Sequence, residues 1–364
     1  MKKIRIGVAG AGLIAQVEHV PNLLALADRF EIVGVADPSP ATRAHMARRF
    51  GVHVVAGYDE LLALKPEAML IATPDAYHVD YAARALGAGL HVFCEKPLGY
   101  GAAEIDGLIA ARDAAGRVLQ VGYMKRFDPA FELLLEATKG LGARLRYVTV
   151  EVNDPDSWPF VGHHGYFRAD DVPQELRAEG GRLRAAQIAR ALGREPDATT
   201  LRGYAGPFAS SMVHDLNLAM GLFGSLGIGD VKPVSASIFA GGEGGAATLA
   251  VNGGQALCQL SHVAVPGLAD YHERISVFFD DRRFELTFPS PYLNHFPTRL
   301  RAYTSQGERL AASDLREGYG EPFVRELVAF HEAVAHGTPV RNTAEHARAD
   351  MALIEAFGRL AAGG

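Results

Sequence analysis

The sequence predicts two domains of different class, an α/β domain over residues 1–122 and an α+β domain over residues 123–364. In the first part, short apolar runs of strand length alternate with helix-like segments, which is typical of a parallel sheet with helices on both faces. A Gly-x-Gly turn directly follows the first apolar run. After about Gly122 the pattern changes to longer β-rich runs, which predict an antiparallel sheet.

Five apolar runs are the predicted strands of the first domain. Because parallel strands end at the same edge of the sheet, ligands are expected beyond their carboxyl ends. The runs are Ile4–Ala9, Glu31–Ala36, Ala68–Ala72, Leu90–Phe93 and Arg117–Val121, and helices are expected over Ala41–Phe50 and from about Ala76 to Leu86.

The turn after the first strand has the spacing of a dinucleotide-binding fingerprint. Gly10 permits a tight turn, and Gly12 has no Cβ, so the backbone can approach a pyrophosphate. Ala15 is small enough for the next helix to pack closely on the strand. That helix, with Leu13 and Ile14 at its start, would direct its first N–H groups at the phosphates.

Asp37 ends the second predicted strand and is the acidic partner of this fingerprint. It follows the glycines at roughly the 20-residue offset at which a carboxylate accepts hydrogen bonds from the adenosine ribose. A carboxylate there would repel a 2′-phosphate, so we expect NAD rather than NADP, although Arg43 is near enough to keep NADP open. The alternative is that Asp37 only starts the turn before Pro38.

Two later turns are expected at the nicotinamide end of the cofactor. Thr73-Pro74 follows the third apolar run, and Glu95-Lys96-Pro97 follows the fourth. A lysine shifts its pKa readily, which suits proton transfer, and the following proline fixes its position. We therefore expect Lys96 to be catalytic and the chemistry to be hydride transfer. The alternative for this lysine is a solvated turn residue.

The second domain is expected to contain a helix that carries a second catalytic candidate. His214 and Asp215 fall off the apolar stripe of this helix, near its N-terminal part. A histidine can exchange a proton with a hydroxyl near neutral pH, and the alternative is a structural helix histidine. The expected strands are 145–152, 235–239, 247–251, 256–263, 274–279 and 283–288, with further helices around 323–336 and 344–360.

The composition argues against several classes of partner. The net charge is −6, and no basic run or stacking array indicates a nucleic-acid surface. No window reaches the roughly 18 apolar residues of a membrane span. The first residues resemble a secretory signal, but Arg5 interrupts the apolar run. Cys94 and Cys258 are the only cysteines, so we expect a cytoplasmic protein without disulfides.

These motifs together resemble the Gfo/Idh/MocA oxidoreductases, named for glucose–fructose oxidoreductase and inositol dehydrogenase. The resemblance extends over nearly the whole chain and is best in the first third. Its most specific element is Glu95-Lys96-Pro97 after a Rossmann half. The other matching elements are Gly10-x-Gly12, Asp37, Ala72-Thr73-Pro74 with His78, Val121-Gly122-Tyr123 with Arg126-Phe127, and His214-Asp215.

The resemblance implies an N-terminal Rossmann parallel sheet and a C-terminal domain with an open, mainly antiparallel sheet, one face of which typically forms a homodimer or homotetramer. It also implies NAD(P)-dependent oxidation or reduction of sugars, inositols and related polyols. Lys96 would hydrogen-bond the reacting hydroxyl, His214 would accept or donate its proton, and Glu95 would fix the local geometry. The nicotinamide half would be lined by Thr73, Pro74 and His78.

The chain departs from the family pattern at one catalytic position. Inositol-type members carry an aspartate four residues before the histidine, where this chain has Ser210. Serine can hydrogen-bond but holds no negative charge, so it stabilises an imidazolium less. Asp215 is a poor replacement, because adjacent helical residues point about 100° apart.

A second departure is a helical insertion at about 170–202. An amphipathic helix is expected over 174–192, interrupted by two glycines. The insertion could cap the substrate site or enlarge a subunit interface. Its arginines are expected to form a solvated face, although Arg182 or Arg184 could contact an acidic substrate.

Further residues are expected to contact the substrate. Trp158 could stack on a sugar ring and His164 could bind hydroxyls, the alternative being an ordinary loop. The full set of expected substrate contacts is Tyr123, Lys125, Arg126, Trp158, His164, Ser210 and Asp215.

No metal site is expected from the sequence. His163 and His164 are adjacent and lack partners at metal-ligand spacing. His331-Glu332 with His336 imitates a zinc-binding helix, but the histidines are five residues apart and would point about 140° from each other.

The expected function is therefore NAD-dependent hydride transfer on a sugar, cyclitol or related polyol. One alternative is a redox-neutral enzyme, in which NAD acts transiently during glycoside hydrolysis, elimination or epimerisation. A second alternative is a non-catalytic regulator that senses a sugar or NAD.

Overall fold

The computed structural model describes residues 2–363, which form two compact units. Two segments that follow residue 123 in the sequence also belong to the first unit. This division differs from the single boundary predicted after residue 122. The first unit comprises the residues up to Tyr123, Val161–Ala191 and Phe323–Ala349, and the second comprises Met124–Phe160, Leu192–Pro322 and the residues from Asp350 onward.

The first unit is built on a six-stranded, fully parallel sheet in the order β3-β2-β1-β4-β5-β6. This is the doubly wound order, in which the switch point lies between β1 and β4. The predicted Rossmann sheet is thereby confirmed, with a short unpredicted strand, β3, at its edge. The strands are β1 Ile4–Ala9, β2 Phe30–Ala36, β3 Val54–Val55, β4 Ala68–Ile71, β5 His91–Glu95 and β6 Leu119–Gly122.

Helices cover this sheet. A π-helix at Ala15–His19 leads directly into α1 at Val20–Ala25. Ser39 caps α2 by accepting a hydrogen bond from the Thr42 N–H, and Gly51 ends it in the left-handed conformation. The helices are α2 Pro40–Phe50, α3 Tyr58–Ala63, α4 His78–Gly87 and α5 Ala102–Ala115.

The two C-terminal segments of the first unit are held by both apolar and polar contacts. Leu327 and Phe330 share the buried core of β1 and β4, which explains why residues 323–349 belong to this unit. The helix predicted over 174–192 is present and continuous through its two glycines. Gly180 packs on Tyr77, where a Cβ would lie 3.4 Å from the ring. The further helices are α8 Gln174–Leu192, α11 Pro322–His336 and α12 Ala344–Ala361, the last of which continues into the second unit.

The second unit is built on an eight-stranded sheet in the order β14-β13-β12-β11-β7-β10-β9-β8. All neighbours are antiparallel except β7 and β10, so the predicted mainly antiparallel sheet is confirmed. The strands are β7 Leu145–Asp154, β8 Val231–Phe239, β9 Gly244–Val251, β10 Ala256–Ala264, β11 His272–Phe279, β12 Arg282–Phe288, β13 Arg299–Gln306 and β14 Arg309–Leu315.

The two faces of this sheet differ in character. One face is apolar, because side chains such as Val148, Val150 and Val277 alternate inward, and helices pack on it. The other face carries half-buried residues such as Thr149 and Glu151 and the exposed Gln259, so it is open to solvent within the second unit. The helices of this unit are α6 Pro129–Ala137, α7 Trp158–Val161, α9 Ala198–Gly203 and α10 Val213–Ser225, with a π-helix at Tyr204–Met212.

Short 3₁₀ turns lie at Asp75–Tyr77, Met124–Phe127, Gly142–Arg144, Gly162–His164 and Ala240–Gly242. Within residues 2–363, no helix is both long enough and apolar enough to cross a membrane.

Candidate active site

The glycine turn has the shape that a dinucleotide requires. Gly10 has a φ of +91°, and a Cβ there would lie 2.4 Å from the carbonyl oxygen of Ala72, so no larger residue fits. Gly12 is exposed and has no atom within 4 Å of its ideal Cβ position. The helix begins at Leu13, which is half-buried like Ile14. The turn thus leaves open space directly in front of a helix N-terminus, which fits a pyrophosphate.

Asp37 is fixed beside this turn by backbone donors. Its Oδ2 accepts from the Ala11 N–H at 3.0 Å, and its Oδ1 accepts from the Ser39 N–H at 2.9 Å. Burial raises the pKa of Asp37, while these two hydrogen bonds and the charge of Arg43 oppose that rise. The bond to Ser39 is an Asx turn, so Asp37 both starts the turn before Pro38 and presents a carboxylate at the end of β2.

The turns after β4 and β5 are tied together by His78. Its Nδ1 bonds to the carbonyl oxygen of Pro97 at 2.8 Å, and its Nε2 bonds to that of Thr73 at 2.9 Å. His78 is buried, whereas Thr73 is half-buried and Pro74 is exposed. His78 therefore holds together the two turns at which the nicotinamide site is predicted, and Pro74 is the exposed residue of the first turn.

Glu95 anchors the backbone of Lys96. Its Oε2 accepts from the Lys96 N–H at 3.1 Å, and its Oε1 lies 2.7 Å from His19 Nε2. Burial alone would raise the pKa of Glu95, but the hydrogen bond with His19 and the nearby charge of Lys96 lower it below its ordinary value. Lys96 itself is half-buried and precedes a cis peptide bond to Pro97. The lowered pKa keeps the Glu95 carboxylate charged, and this carboxylate fixes the backbone of the candidate catalytic lysine.

Sequence reasoning missed two members of this cluster, His19 and Glu326. Both are fully buried, and ligand atoms of His19, Glu95 and Glu326 lie within 4.8 Å of one another. Neither carboxylate oxygen of Glu326 has a hydrogen-bond partner among the described residues. Burial, together with the charges of Glu95 and Glu18, raises the pKa of Glu326 well above its ordinary value. The signal available in the sequence was the position of Glu326, which lies within the apolar stripe of α11 and is therefore expected to be buried.

His214 lies in the second unit, one residue into α10. The preceding π-helix contains Pro207 and ends with the Val213 N–H bonded to the carbonyl oxygen of Phe208, an i→i−5 bond. Ser210 and His214 are both half-buried. The four-residue spacing between them therefore does not span a regular α-helical turn, because a π-helix changes the register. Such π-helical turns occur frequently at functional sites.

Lys125 and Asp215, two expected substrate contacts, instead bind each other inside the second unit. Lys125 Nζ lies 2.9 Å from Asp215 Oδ1 and 2.5 Å from Glu273 Oε1, and the Tyr271 hydroxyl also donates to Glu273. Burial would lower the pKa of Lys125, but the two carboxylates raise it to about 12. Burial and the charge of Glu273 raise the pKa of Asp215 well above its ordinary value. This network fixes α10, which carries His214.

The remaining expected substrate contacts lie in different surroundings. Arg126 donates to the carbonyl oxygen of Asn217 at 3.2 Å and packs against Gly221, where a Cβ would lie 2.4 Å from its Cζ. Tyr123 is buried in the first unit. Trp158 of the second unit is 61% exposed, which suits a stacking surface. His164 lies in the first unit, where its carbonyl oxygen accepts a hydrogen bond from Arg49.

The predicted divergence of His331 and His336 was wrong. Ligand atoms of His331, Glu332 and His336 lie within 4.8 Å of one another, because the side chains bend toward the shared glutamate. Arg29 Nη1 donates to Glu332 and lies 3.3 Å from His331 Nδ1. A guanidinium therefore already supplies the positive charge in this group.

The comparisons with known proteins agree with this geometry. The sequence model of the Gfo/Idh/MocA oxidoreductases, described as an oxidoreductase family with an NAD-binding Rossmann fold, matches residues 4–123. The predicted resemblance to this family is confirmed over the first third of the chain.

Curated relatives match part of the chain. An uncharacterized oxidoreductase of Rhizobium meliloti is 37% identical over 164 residues, covering 43% of this chain and 49% of the relative. An inositol 2-dehydrogenase of Acidothermus cellulolyticus is 32% identical over 179 residues, covering 48% of each chain. The chain thus spans about half the length of the curated relatives it matches.

Solved structures match the fold over almost the whole length. A UDP-N-acetylglucosamine 3-dehydrogenase from Acidithiobacillus ferrooxidans has a TM-score of 0.68 at 24% identity, covering 99% of this chain and 98% of that one. A 3-ketoreductase from Actinomadura kijaniata, solved with NADP and TDP-benzene, has a TM-score of 0.71 at 21% identity, covering 98% and 97%.

Proposed function

We propose that this chain is an NAD-dependent oxidoreductase that transfers hydride between a hydroxyl-bearing carbon of a sugar, cyclitol or related polyol and the nicotinamide. The observation that carries the proposal is the joint geometry of the first unit. An open glycine turn, a fixed carboxylate at Asp37 and an anchored Lys96 all lie beyond strand ends of one parallel sheet. Bound NAD supplies the hydride acceptor, and the protein supplies orientation and electrostatics.

The cofactor is proposed to lie across the switch point of the sheet. Gly12 and the helix N-terminus at Leu13 would receive the pyrophosphate, and Asp37 would accept from the adenosine ribose hydroxyls. Thr73 and Pro74 would line the nicotinamide half. The carboxylate of Asp37 supports NAD over NADP, because a 2′-phosphate would meet a like charge.

Lys96 and His214 are proposed to manage the proton of the reacting hydroxyl. Glu95 fixes the backbone of Lys96. The ammonium group of Lys96 would donate to the substrate oxygen. His214 would take the hydroxyl proton during oxidation and return it during reduction. Ser210 could hydrogen-bond the substrate, but it offers no negative charge to balance a protonated His214.

The substrate class is proposed from both the site and the relatives. The curated relatives include several inositol 2-dehydrogenases, and a solved neighbour is a UDP-N-acetylglucosamine 3-dehydrogenase. Arg126, Trp158 and His164 remain proposed contacts for a polyhydroxylated ring. Tyr123 is buried and is therefore not proposed as a direct contact. Lys125 and Asp215 are also buried, so they would act on the substrate through the position of α10.

The uncovered face of the eight-stranded sheet supports a homodimer or homotetramer. Its apolar and polar side chains form a broad surface with a shallow concavity of about 430 Å³ lined by residues such as Thr149, Gln259 and Arg274. We also propose a cytoplasmic location, because Cys94 and Cys258 are both buried as free thiols.

The proposal is tested by following NADH at 340 nm across a panel of inositols, sugars and simple glycosides, with mass spectrometry of the products. NADH that forms with one substrate class and is lost in Lys96→Ala would support the dehydrogenase. Lys139→Ala, at an exposed lysine that has no proposed role in the reaction, is the matched control. A cleaved or epimerised product without NADH would favour the redox-neutral alternative. NAD binding without any product would favour a sensor.

A further inference from the structure

A carboxylate from the insertion lies at the adenosine end of the proposed cofactor site. Asp171 accepts hydrogen bonds from the Ser39 hydroxyl and, at 2.9 Å, from the Ala41 N–H. Ser39 is the N-cap of α2, and Ala41 is in its first turn. The first N–H groups of a helix form an anion-binding position, and here the chain itself supplies the anion.

The segment that carries Asp171 is fixed to the rest of the first unit by further contacts. The Gln16 amide donates to the carbonyl oxygen of Phe167 and accepts from its N–H, each at 3.0 Å, so it pairs with the backbone of this segment. The ring of Phe167 stacks on His45 of α2 at 5.1 Å. Arg49 donates to the backbone carbonyl of Gly165 at 2.8 Å. Asp171 therefore reaches α2 from a segment that is anchored both on Gln16, in the helix after the glycine turn, and on α2 itself.

The position of Asp171 bears directly on the choice of dinucleotide. Asp37 would bind the ribose 2′-hydroxyl, and its carboxylate accepts a hydrogen bond from the Ser39 N–H. The hydroxyl of the same Ser39 donates to Asp171. A phosphate on the ribose 2′-hydroxyl would need hydrogen-bond donors beside Asp37, and the Ser39 hydroxyl and the Ala41 N–H at the start of α2 are donors of this kind. Arg43, which could otherwise bind a phosphate, donates instead to the carbonyl oxygens of Asp37 and Pro38 at 2.7 and 3.0 Å.

We propose that Asp171 is a cofactor-specificity residue, which excludes NADP by occupying, from the insertion, the anion position that a 2′-phosphate would need. This inference rests on the proposed dinucleotide site and extends it to a residue more than a hundred positions away from the fingerprint. The exclusion has two parts, the negative charge of Asp171 and its occupation of the Ser39 hydroxyl and the Ala41 N–H.

Two substitutions separate these parts. Asp171→Asn keeps an oxygen acceptor in place but removes the charge, whereas Asp171→Ala vacates the position. We expect the ratio of the Kd for NADPH to the Kd for NADH to fall about fivefold in the asparagine variant and more than about tenfold in the alanine variant. The Kd for NADH should change less than twofold. The charge-dependent part should shrink at high salt, because Asp171 is exposed.

The test is isothermal titration of NADH and NADPH into the wild-type protein and the variants, which requires no knowledge of the substrate. Asp170→Asn is the matched control, since it removes an adjacent exposed carboxylate that, among the described residues, forms no hydrogen bond or ion pair with α2. A ratio that is unchanged in both Asp171 variants while the wild type prefers NADH would overturn the inference. A wild-type protein that binds neither dinucleotide would overturn the proposed function instead, and a wild type that prefers NADPH would contradict the role of Asp171.

Discussion

The buried carboxyl of Glu326 should make the first unit less stable as the pH rises. Its folded-state pKa is raised well above the ordinary value, so it keeps its proton in the folded protein under conditions where the unfolded chain has lost it. The unfolded state then binds fewer protons, and the free energy of unfolding falls with pH. This loss begins above the unfolded pKa of about 4.3 and continues until the folded-state pKa is reached.

Replacing this group by its neutral isostere, Glu326→Gln, should remove that dependence. While Glu326 stays protonated, the free energy of unfolding of the wild type should fall by about 1.4 kcal/mol per pH unit relative to the variant. For a unit of this size, that corresponds to roughly 3–6 °C in Tm per pH unit. The Tm of the variant should therefore rise relative to the Tm of the wild type at each step from pH 5 to pH 7.

The assay is differential scanning calorimetry of both proteins at pH 5, 6 and 7, with the transition of the first unit followed in each. Glu332→Gln on the same helix is the control. The pKa of Glu332 is lowered by its hydrogen bond with Arg29, so it is ionised in both states over this range and its effect should not change with pH. A constant difference in Tm between Glu326→Gln and the wild type would refute the reasoning, since it would mean that Glu326 titrates normally.

Two other predictions concern residues with a defined packing role. Gly10→Ala should abolish binding of NADH in a titration, because the added Cβ would lie 2.4 Å from the Ala72 carbonyl oxygen and the residue has a positive φ. Gly57→Ala is the control and should bind NADH normally, because its added Cβ meets no atom within 4 Å. Lys125→Met should lower the free energy of unfolding by about 3–5 kcal/mol in denaturant titrations, because Asp215 and Glu273 lose their shared cation; a loss below about 1 kcal/mol would contradict the network.

Much of the fold was predictable because its signals are local. The strand Ile4–Ala9 was predicted with its observed bounds, since an apolar run before a glycine turn needs no distant information. The strand β13 was missed because it is mostly polar and only Leu300 and Ala302 alternate as buried apolar residues. The strand β14 was missed because it is largely exposed and its apolar residues do not alternate with polar ones.

The candidate site was predictable only in its local motifs. The glycine turn, Asp37 and Lys96 each follow a predicted strand, which places them at one sheet edge. Their partners are distant in sequence: the bond between His19 and Glu95 joins residues 76 positions apart, and that between Ser39 and Asp171 joins residues 132 positions apart. No periodicity encodes such pairs.

The π-helix before His214 also escaped prediction. A π-helix differs from an α-helix by a single shift in hydrogen bonding, to i→i+5, and Pro207 was the one local sign of irregularity. The consequence is that Ser210 and His214, although four residues apart, are not separated by a regular α-helical turn.

The central claim is net hydride transfer to NAD with Lys96 at the reacting oxygen. It is tested most directly by measuring how many NADH molecules form for each molecule of oxidised product, once the panel has identified a substrate. The account predicts a ratio of one, and a fall in kcat of about 10²–10⁴-fold in Lys96→Ala with little change in the Kd for NADH. Product formed with a ratio near zero, or full activity in Lys96→Ala, would contradict it.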